Sequence, residues 1–424
     1  MSRPRRVRLI GTSPFFEETS LIAPNHPPLR RRDLSPGTRM RVVFATRILG
    51  PEVSAASGIL RTWAEEFRDR GFDVLILTAR PPRGAVIDDP PGIRISRAPV
   101  KRDRQQYVRG YLSYLSFDVP LFFRLLFSPR ADLYIAEPPP TTVAVVRMVA
   151  RLRRRPYVVR AADYWTEAAE LVTSNPLVIG PLRRVEAWGL NGAAVLFAAH
   201  EPLIERFRAV GITAPAVPIG FGADTAAFRY GGETPPEPPV FVYAGTYSEW
   251  HAPGIFVEAF PAVLERHPGA RLLYYGNGEE RENMRARARE LGVDSSIEFH
   301  GPIPPADLSP ILSSATATVA SLAPVAANEY ALATKVYSSL TAGCPVVFTG
   351  VGPTIDFLNA ENHPHAGVAV GYDVAATADA MIAAADSPLP AADRAKLAEW
   401  AAERYSLAAI AREVVDESLR VIGS

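Results

Sequence analysis

The chain has 424 residues, 48% of them hydrophobic and 21% charged, which suits buried cores, excludes a wholly disordered chain and predicts two domains. No run approaches the roughly 20 apolar residues of a bilayer span, and the lone Cys344 excludes an intrachain disulfide or a cysteine-based zinc site. The net charge of +1 conceals a split, with +5 over residues 1–39, +8 over 40–222 and −12 over 223–424, so one half is suited to meet something anionic.

Residues 1–39 mix arginines with Pro4, Pro14, Pro24, Pro27, Pro28 and Pro36 and show no periodicity, so a disordered extension is expected. They hold no continuous apolar stretch of the kind a secretory signal needs, which makes the cytoplasm the default location. From Met40 onward, apolar runs of strand length recur at 42–46, 74–78, 132–136, 157–160 and 194–198, with helical stretches between them. The first helix places Ile59, Leu60, Trp63 and Phe67 on one face and ends at Gly71. Residues 231–239 are rich in glycine and proline and read as a linker. The alternation then restarts with runs at 240–244, 272–275, 297–300, 315–320 and 345–349, followed by a helical pattern from Ala391.

Strands buried on both faces and alternating with helices predict parallel α/β sheets. The expected organisation is an extension at 1–39, a Rossmann-like domain at 40–222 and a linker at 223–239. A second Rossmann-like domain at 240–390 and a helical segment at 391–424 complete it. Ligands of such sheets bind beyond the carboxyl ends of the strands, so the groove between the two domains is the expected site.

The loop after the first strand, from Arg47 to Gly58, is small-residue-rich, yet it has neither the three-glycine dinucleotide spacing nor a P-loop ending. In the second half, four segments follow in order. They are Tyr243-Ala244-Gly245-Thr246 with His251, Tyr275-Gly276-Asn277-Gly278, His300-Gly301-Pro302-Ile303, and Glu329-Tyr330 followed by Thr334-Lys335-Val336-Tyr337. Asp163-Tyr164-Trp165, Glu186-Ala187-Trp188 and Gly222-Ala223-Asp224 with Phe228 stand in the first half and at the crossing. The order and spacing of these segments resemble the retaining glycosyltransferases of family four. That resemblance implies the GT-B architecture of two Rossmann-like domains facing across a cleft, a nucleotide-sugar donor, retention of anomeric configuration, and no cofactor or catalytic metal.

Positions carried over on the resemblance are Gly245, Thr246, His251, Gly276, Gly301, Ile303, Lys335, Ser338 and Gly352 for the donor, with Asp163, Lys335 and Glu329 as catalytic groups. Arg47 and Gly58 are expected at the acceptor or a phosphate. Thr246 and His251 stand where many members carry Arg and Lys, while Tyr330 and Ser338 stand where the family's two glutamates fall. Lys335 is therefore the expected cation for a departing diphosphate, helped by backbone N–H groups around Gly352.

The expected activity is transfer of a sugar to a cell-envelope or polysaccharide acceptor. Arg151, Arg153, Arg154 and Arg155, beside the apolar-aromatic stretch 107–127, suit a lipid-linked acceptor and a peripheral contact with an anionic membrane. Nothing in the sequence points to nucleic acid. Two other readings stay open: a sugar-nucleotide epimerase of the same architecture, and a sugar-nucleotide-binding or scaffold protein without catalysis.

Overall fold

The computed structural model describes residues 39–423, apart from 51–54, 83, 86, 104–107, 109, 171–172, 174 and 361–364. The expectation for residues 1–39 therefore falls almost wholly outside the described residues.

Among the described residues the first half forms seven strands, the interior ones from apolar runs rich in Val, Ile and Leu: β1 (Arg41–Ala45), β2 (Asp73–Ala79), β3 (Arg94–Ala98), β4 (Leu133–Ala136), β5 (Tyr157–Ala161), β6 (Val195–Ala198) and β7 (Ala216–Pro218). They pair in the order β3-β2-β1-β4-β5-β6-β7, every pair parallel. The second half adds β8 (Val240–Ala244), β9 (Arg271–Tyr275), β10 (Ile297–His300), β11 (Ala317–Ser321), β12 (Val346–Thr349) and β13 (Gly367–Val370). Their order is β10-β9-β8-β11-β12-β13, again all parallel. The α/β expectation with two doubly wound sheets holds. The sequence pattern missed β3, β7 and β13. All three are edge strands, short or polar enough to hide the buried-strand signal.

Helices cover the first sheet as α1 (Ala55–Asp69), α2 (Tyr111–Phe127), α3 (Pro140–Arg153), α4 (Trp165–Glu170), α5 (Pro176–Leu190) and α6 (Glu201–Ala209). Those of the second half are α7 (Ile255–Arg266), α8 (Arg281–Glu290), α9 (Pro305–Ser314), α10 (Lys335–Thr341), α11 (Thr354–Asn359), α12 (Val374–Asp386), α13 (Ala391–Tyr405) and α14 (Leu407–Gly423). One face of the first sheet packs Phe117, Leu121, Val146 and Phe207 against Val43 and Tyr134. On the other face, Leu60, Trp63 and Phe67 of α1 meet Ile410, Val414 and Val415 of α14 over Phe44 and Phe197. The last helix of the chain thus completes the core of the first half.

The crossing motif accounts for how it gets there. Gly222 takes a left-handed φ of 75°. Ala223 then donates its N–H to Tyr405 and accepts from Leu407, at 2.7 and 2.9 Å. A Cβ at position 222 would strike Ile410 and Leu407, so glycine is required where the chain leaves the first sheet.

Arg394 of α13 is wholly buried and anchors the second half. Its guanidinium donates to the carbonyls of Leu389, Ser313, Ala315 and Thr316 over 2.5–3.1 Å. Removing it strands four carbonyls and leaves a cavity. Arg394→Ala should therefore lower the unfolding free energy by about 3–5 kcal/mol in urea titration, against less than ~0.5 kcal/mol for Arg404→Ala at the exposed end of α13.

Candidate functional site

Parallel strands end at one edge, and the loops leaving β8, β9 and β10 meet α10 around a cavity of about 450 Å³. Its wall is built from Gly245 and Thr246 after β8, Gly276 and Asn277 after β9, Pro302 and Ile303 after β10, and Lys335, Ser338 and Ser339 of α10. Phe228, Val242, Leu308 and Leu312 form apolar lining. Six of the expected donor positions are thereby brought together: Gly245, Thr246, Gly276, Ile303, Lys335 and Ser338.

Lys335 is the centre of this cavity chemically. Its ammonium donates to the Tyr243 hydroxyl at 2.8 Å and lies 4.1 Å from that ring's centroid. Tyr243 in turn donates to the Thr246 carbonyl at 2.9 Å. A Cβ at Gly245 would come within 3.0 Å of the Lys335 Nζ, so the glycine lets the ammonium approach the strand end. Among the described residues, no carboxylate lines the cavity. Burial without a counter-charge pushes the Lys335 ammonium down to about 7. Tyr243 was not foreseen from the sequence, where a tyrosine in a buried strand reads as core.

The remaining expectations land elsewhere. His251 does not line the cavity; its Nδ1 lies 2.9 Å from Ser248 Oγ, and its carbonyl accepts from Ser321. Burial, together with the nearby Lys335 charge, pushes the imidazole down to about 4, so it is neutral. It supplies no cation in place of the family's lysine. Gly301 also lies outside the lining, with open space around it. Glu329 is exposed on a single 3-10 turn, Ala326–Tyr330, and does not line the cavity.

Gly352, at φ 88°, packs on the carbonyl oxygens of Asn328 and Ala331, surroundings that repel an anion, and it is not part of the lining. Asn328 was not singled out from the sequence. It is fully buried and donates to the carbonyls of Trp250 and Ala323, tying the loop after β8 to the end of β11.

A second polar cluster forms at the carboxyl edge of the first sheet. Arg47 follows β1, Glu137 follows β4, and Arg160 and Asp163 stand at the end of β5 and just beyond it. The Arg47 guanidinium is buried between the Tyr114 ring, at 4.2 Å, and the Trp165 ring, at 5.9 Å, and burial lowers its pKa. Arg160 pairs with Glu137 at 2.9 Å. Arg47 Nε and Glu137 Oε2 are buried with no hydrogen-bond partner among the described residues. Desolvation raises the carboxyl pKa of both Glu137 and Asp163, with Arg160 opposing the shift in each. Asp163 keeps an exposed surface, so it can reach a ligand. Glu137 and Arg160 escaped the sequence reading, although a carboxylate directly after an apolar strand was the available signal.

Gly58 lies inside α1 rather than in the loop before it, and its carbonyl accepts from Thr62, so it offers no backbone cradle. Glu186 has a structural explanation. Its carboxylate accepts from the Trp165 and Thr166 N–H groups and the Thr166 hydroxyl, fixing the start of α4 and with it Trp165. His200 caps α6, its Nδ1 accepting from the Leu203 N–H at 3.1 Å. Among the described residues, no three His, Cys, Asp or Glu side chains gather as a metal-binding group.

Comparison with known proteins agrees with this geometry. Residues 56–222 match the family described as glycosyl transferase 4-like domain, and residues 238–387 match glycosyl transferases group 1. A D-inositol 3-phosphate glycosyltransferase of Acidothermus cellulolyticus is 30% identical over 148 residues, covering 31% of this chain and 32% of that protein. The lipopolysaccharide core biosynthesis glycosyltransferase LpsE of Rhizobium meliloti is 31% identical over 144 residues, covering 34% and 39%. The matched stretch thus spans about a third of each of these relatives.

Among solved structures, sucrose-phosphate synthase from Thermosynechococcus elongatus superposes with a TM-score of 0.68 at 15% identity, covering 91% of this chain and all of that one. Anabaena Alr3699/HepE, solved in complex with UDP and glucose, gives 0.63 at 15% identity over 90% of this chain and all of that one. At such identities the likeness concerns the fold.

Lys335 also makes stability depend on pH. The ammonium is neutralised near pH 7 in the folded chain and near 10.4 when unfolded, so between those values the unfolded chain binds the extra proton and stability rises with pH. Urea unfolding of wild type and Lys335→Met at pH 7 and pH 10 should show wild type gaining on the variant, by on the order of 4 kcal/mol.

Proposed function

We propose that this chain, a glycosyltransferase of the GT-B type, moves a hexosyl or related sugar from a nucleotide-sugar donor to a saccharide or lipid-linked acceptor of the cell envelope. The observation that carries the reading is Lys335, an ammonium buried in a carboxylate-free cavity with only a phenol oxygen to hold it. A buried cation of this kind is completed by an anion, and a diphosphate is the anion that a departing nucleotide sugar supplies. The UDP bound by the structural neighbour HepE supports a nucleotide donor. The lipopolysaccharide core relative supports an envelope acceptor.

In this reading the diphosphate lies between Thr246 and Lys335, and Ser338 meets the nucleoside side with a hydroxyl in place of the family's carboxylate. The acceptor enters over Asp163, Arg47 and Trp165. Its hydroxyl oxygen forms the new bond to the anomeric carbon as the bond from that carbon to the diphosphate oxygen breaks, and a diphosphate oxygen takes the hydroxyl proton. Attack from the leaving-group face retains configuration and needs no carboxylate nucleophile. Lys335 enters the transition state charged, because the developing diphosphate restores its proton affinity.

Incubation with a panel of nucleotide sugars tests the class. Slow release of free sugar and nucleoside diphosphate is expected. An isomeric nucleotide sugar would instead indicate an epimerase, and binding without turnover a scaffold. With the donor so identified, Lys335→Ala should lower kcat about 30- to 1000-fold, the loss of ~2–4 kcal/mol of leaving-group stabilisation, with an unchanged far-ultraviolet spectrum. Lys335→Arg should restore it in part. Wild-type turnover in Lys335→Ala would remove Lys335 from the mechanism.

A further inference from the structure

Helix α2 is apolar on two opposite faces. Phe117, Leu121 and Leu125 point into the core. Leu112, Leu115, Val119, Phe123 and Phe127 recur every three or four residues on the other side, each 50–79% exposed. A helix apolar all round is ordinarily buried on all sides, so this outward stripe lacks its partner. The rings of Phe123 and Phe127 stack on one another, 6.5 Å between centroids.

The stripe continues onto α3. Arg153 donates to the Leu126 and Ser128 carbonyls, which sets the end of α3 against the end of α2. Met148 and Leu152, one turn apart on α3, are exposed. Helical spacing puts them between that contact and the row made by Arg147 and Arg151.

Beside the row lies a second cavity of about 380 Å³, lined by Arg147, Arg151, Arg155 and Tyr157 at the start of β5. It is therefore at the edge of the first sheet opposite the Arg47 cluster. Arg147 is anchored over the Trp188 ring at 4.5 Å, and Gly192 leaves room for its guanidinium, since a Cβ there would collide with it. The Arg155 Nε is buried with no hydrogen-bond partner among the described residues. Arg151, Arg154 and Arg130 form no ion pair among the described residues, and all three are exposed. Acids are scarce here. Residues 138–162 contain none, Asp118 is buried and bonded to Thr141 and Thr142, and Asp132 pairs with Arg155 Nη1 at 3.4 Å, leaving Arg147 and Arg151 of the cavity without an acidic partner among the described residues.

We infer that the outward face of α2 and α3 docks on an anionic lipid bilayer, with the apolar stripe entering the interface and the arginine cavity holding a lipid phosphate. The charge pattern decides between occupants. A second copy meeting this face about a two-fold axis would set the unpaired arginines against each other, whereas anionic headgroups neutralise them. An interfacial helix needs an apolar face bounded by cations, and that is the arrangement present. No helix among the described residues is long and apolar enough to cross a membrane.

The inference adds a partner to the proposed transferase, and it is tested without donor or acceptor, so its failure leaves that reading untouched. The full chain is sedimented with vesicles of phosphatidylcholine alone or with about 30% phosphatidylglycerol. Binding to the anionic vesicles should be at least about tenfold tighter and should weaken with added salt. Phe123→Ser with Phe127→Ser should weaken binding to both vesicle types, and Arg151→Glu with Arg154→Glu should abolish the anionic preference, with the circular dichroism of each unchanged. Equal binding to both vesicles, or none, overturns the proposal. So does stabilisation by inorganic phosphate without vesicle binding, which marks a soluble-anion pocket. A concentration-dependent dimer that Phe123→Ser dissolves marks a self-interface and overturns it too.

Discussion

Every strand runs parallel to its neighbours, and that constraint places the functional groups of both halves. Parallel strands require crossover helices on both faces, so apolar side chains fill the sheet and polar ones collect where the strands stop. Arg47, Glu137 and Asp163 each stand within two residues of the carboxyl end of β1, β4 or β5. Gly245 and Gly276 stand directly after β8 and β9. The face of the first sheet that its own helices leave open is closed by α14, which returns from the far end of the sequence to bury Ile410 and Val414 against α1. Continuity of the first core thus depends on the same crossing at Gly222 that joins the two halves.

The two polar clusters handle charge in opposite ways. At the first edge two guanidinia face two carboxylates, with Arg160 and Glu137 directly paired, so the formal charges of the cluster cancel. At the second edge one ammonium is buried with a phenol and no carboxylate. Burying a charge without a counter-charge is unfavourable by several kcal/mol unless the group sheds its proton, which is the shift Lys335 shows. The arrangement becomes favourable when an anion is brought beside the ammonium.

This also corrects the meaning of the charge split. The second half carries the chain's acidic excess, yet acids such as Glu258 and Glu298 are spent on surface pairs with Arg287 and Arg271, and none reaches the cavity. Net charge describes the surface of a domain and says little about the lining of one cavity.

The interior strands were legible because burial on both faces demands unbroken runs of Val, Ile, Leu and Phe, while the edge strands β3, β7 and β13 face weaker demands and carry Arg, Pro or Gly. Lys335 was legible because it sits in the Thr334–Tyr337 run that carries the family resemblance and because lysine is rare in this chain, with only Lys101 and Lys396 besides. Its partner Tyr243 was not, since the hydroxyl is read only once the strand and α10 are juxtaposed. Glu186 shows the converse: its motif was visible, but a buried carboxylate that caps α4 leaves the same trace in sequence as one that binds ligand.

Helix α2 joins these threads, because it serves the core, the surface and the first polar cluster at once. Its inner face packs Phe117 and Leu121 beneath the sheet. Asp118 accepts from Thr141 and Thr142 at 2.6 Å each, which fixes the start of α3. Tyr114 lies under the Arg47 guanidinium. The same helix turns Val119 and Phe123 outward. Anything that seats against the outer stripe therefore rests on the helix whose Tyr114 ring holds Arg47. The proposed lipid-docking stripe and the ring that holds Arg47 are therefore two faces of one helix, so the core packing that fixes one face fixes the other.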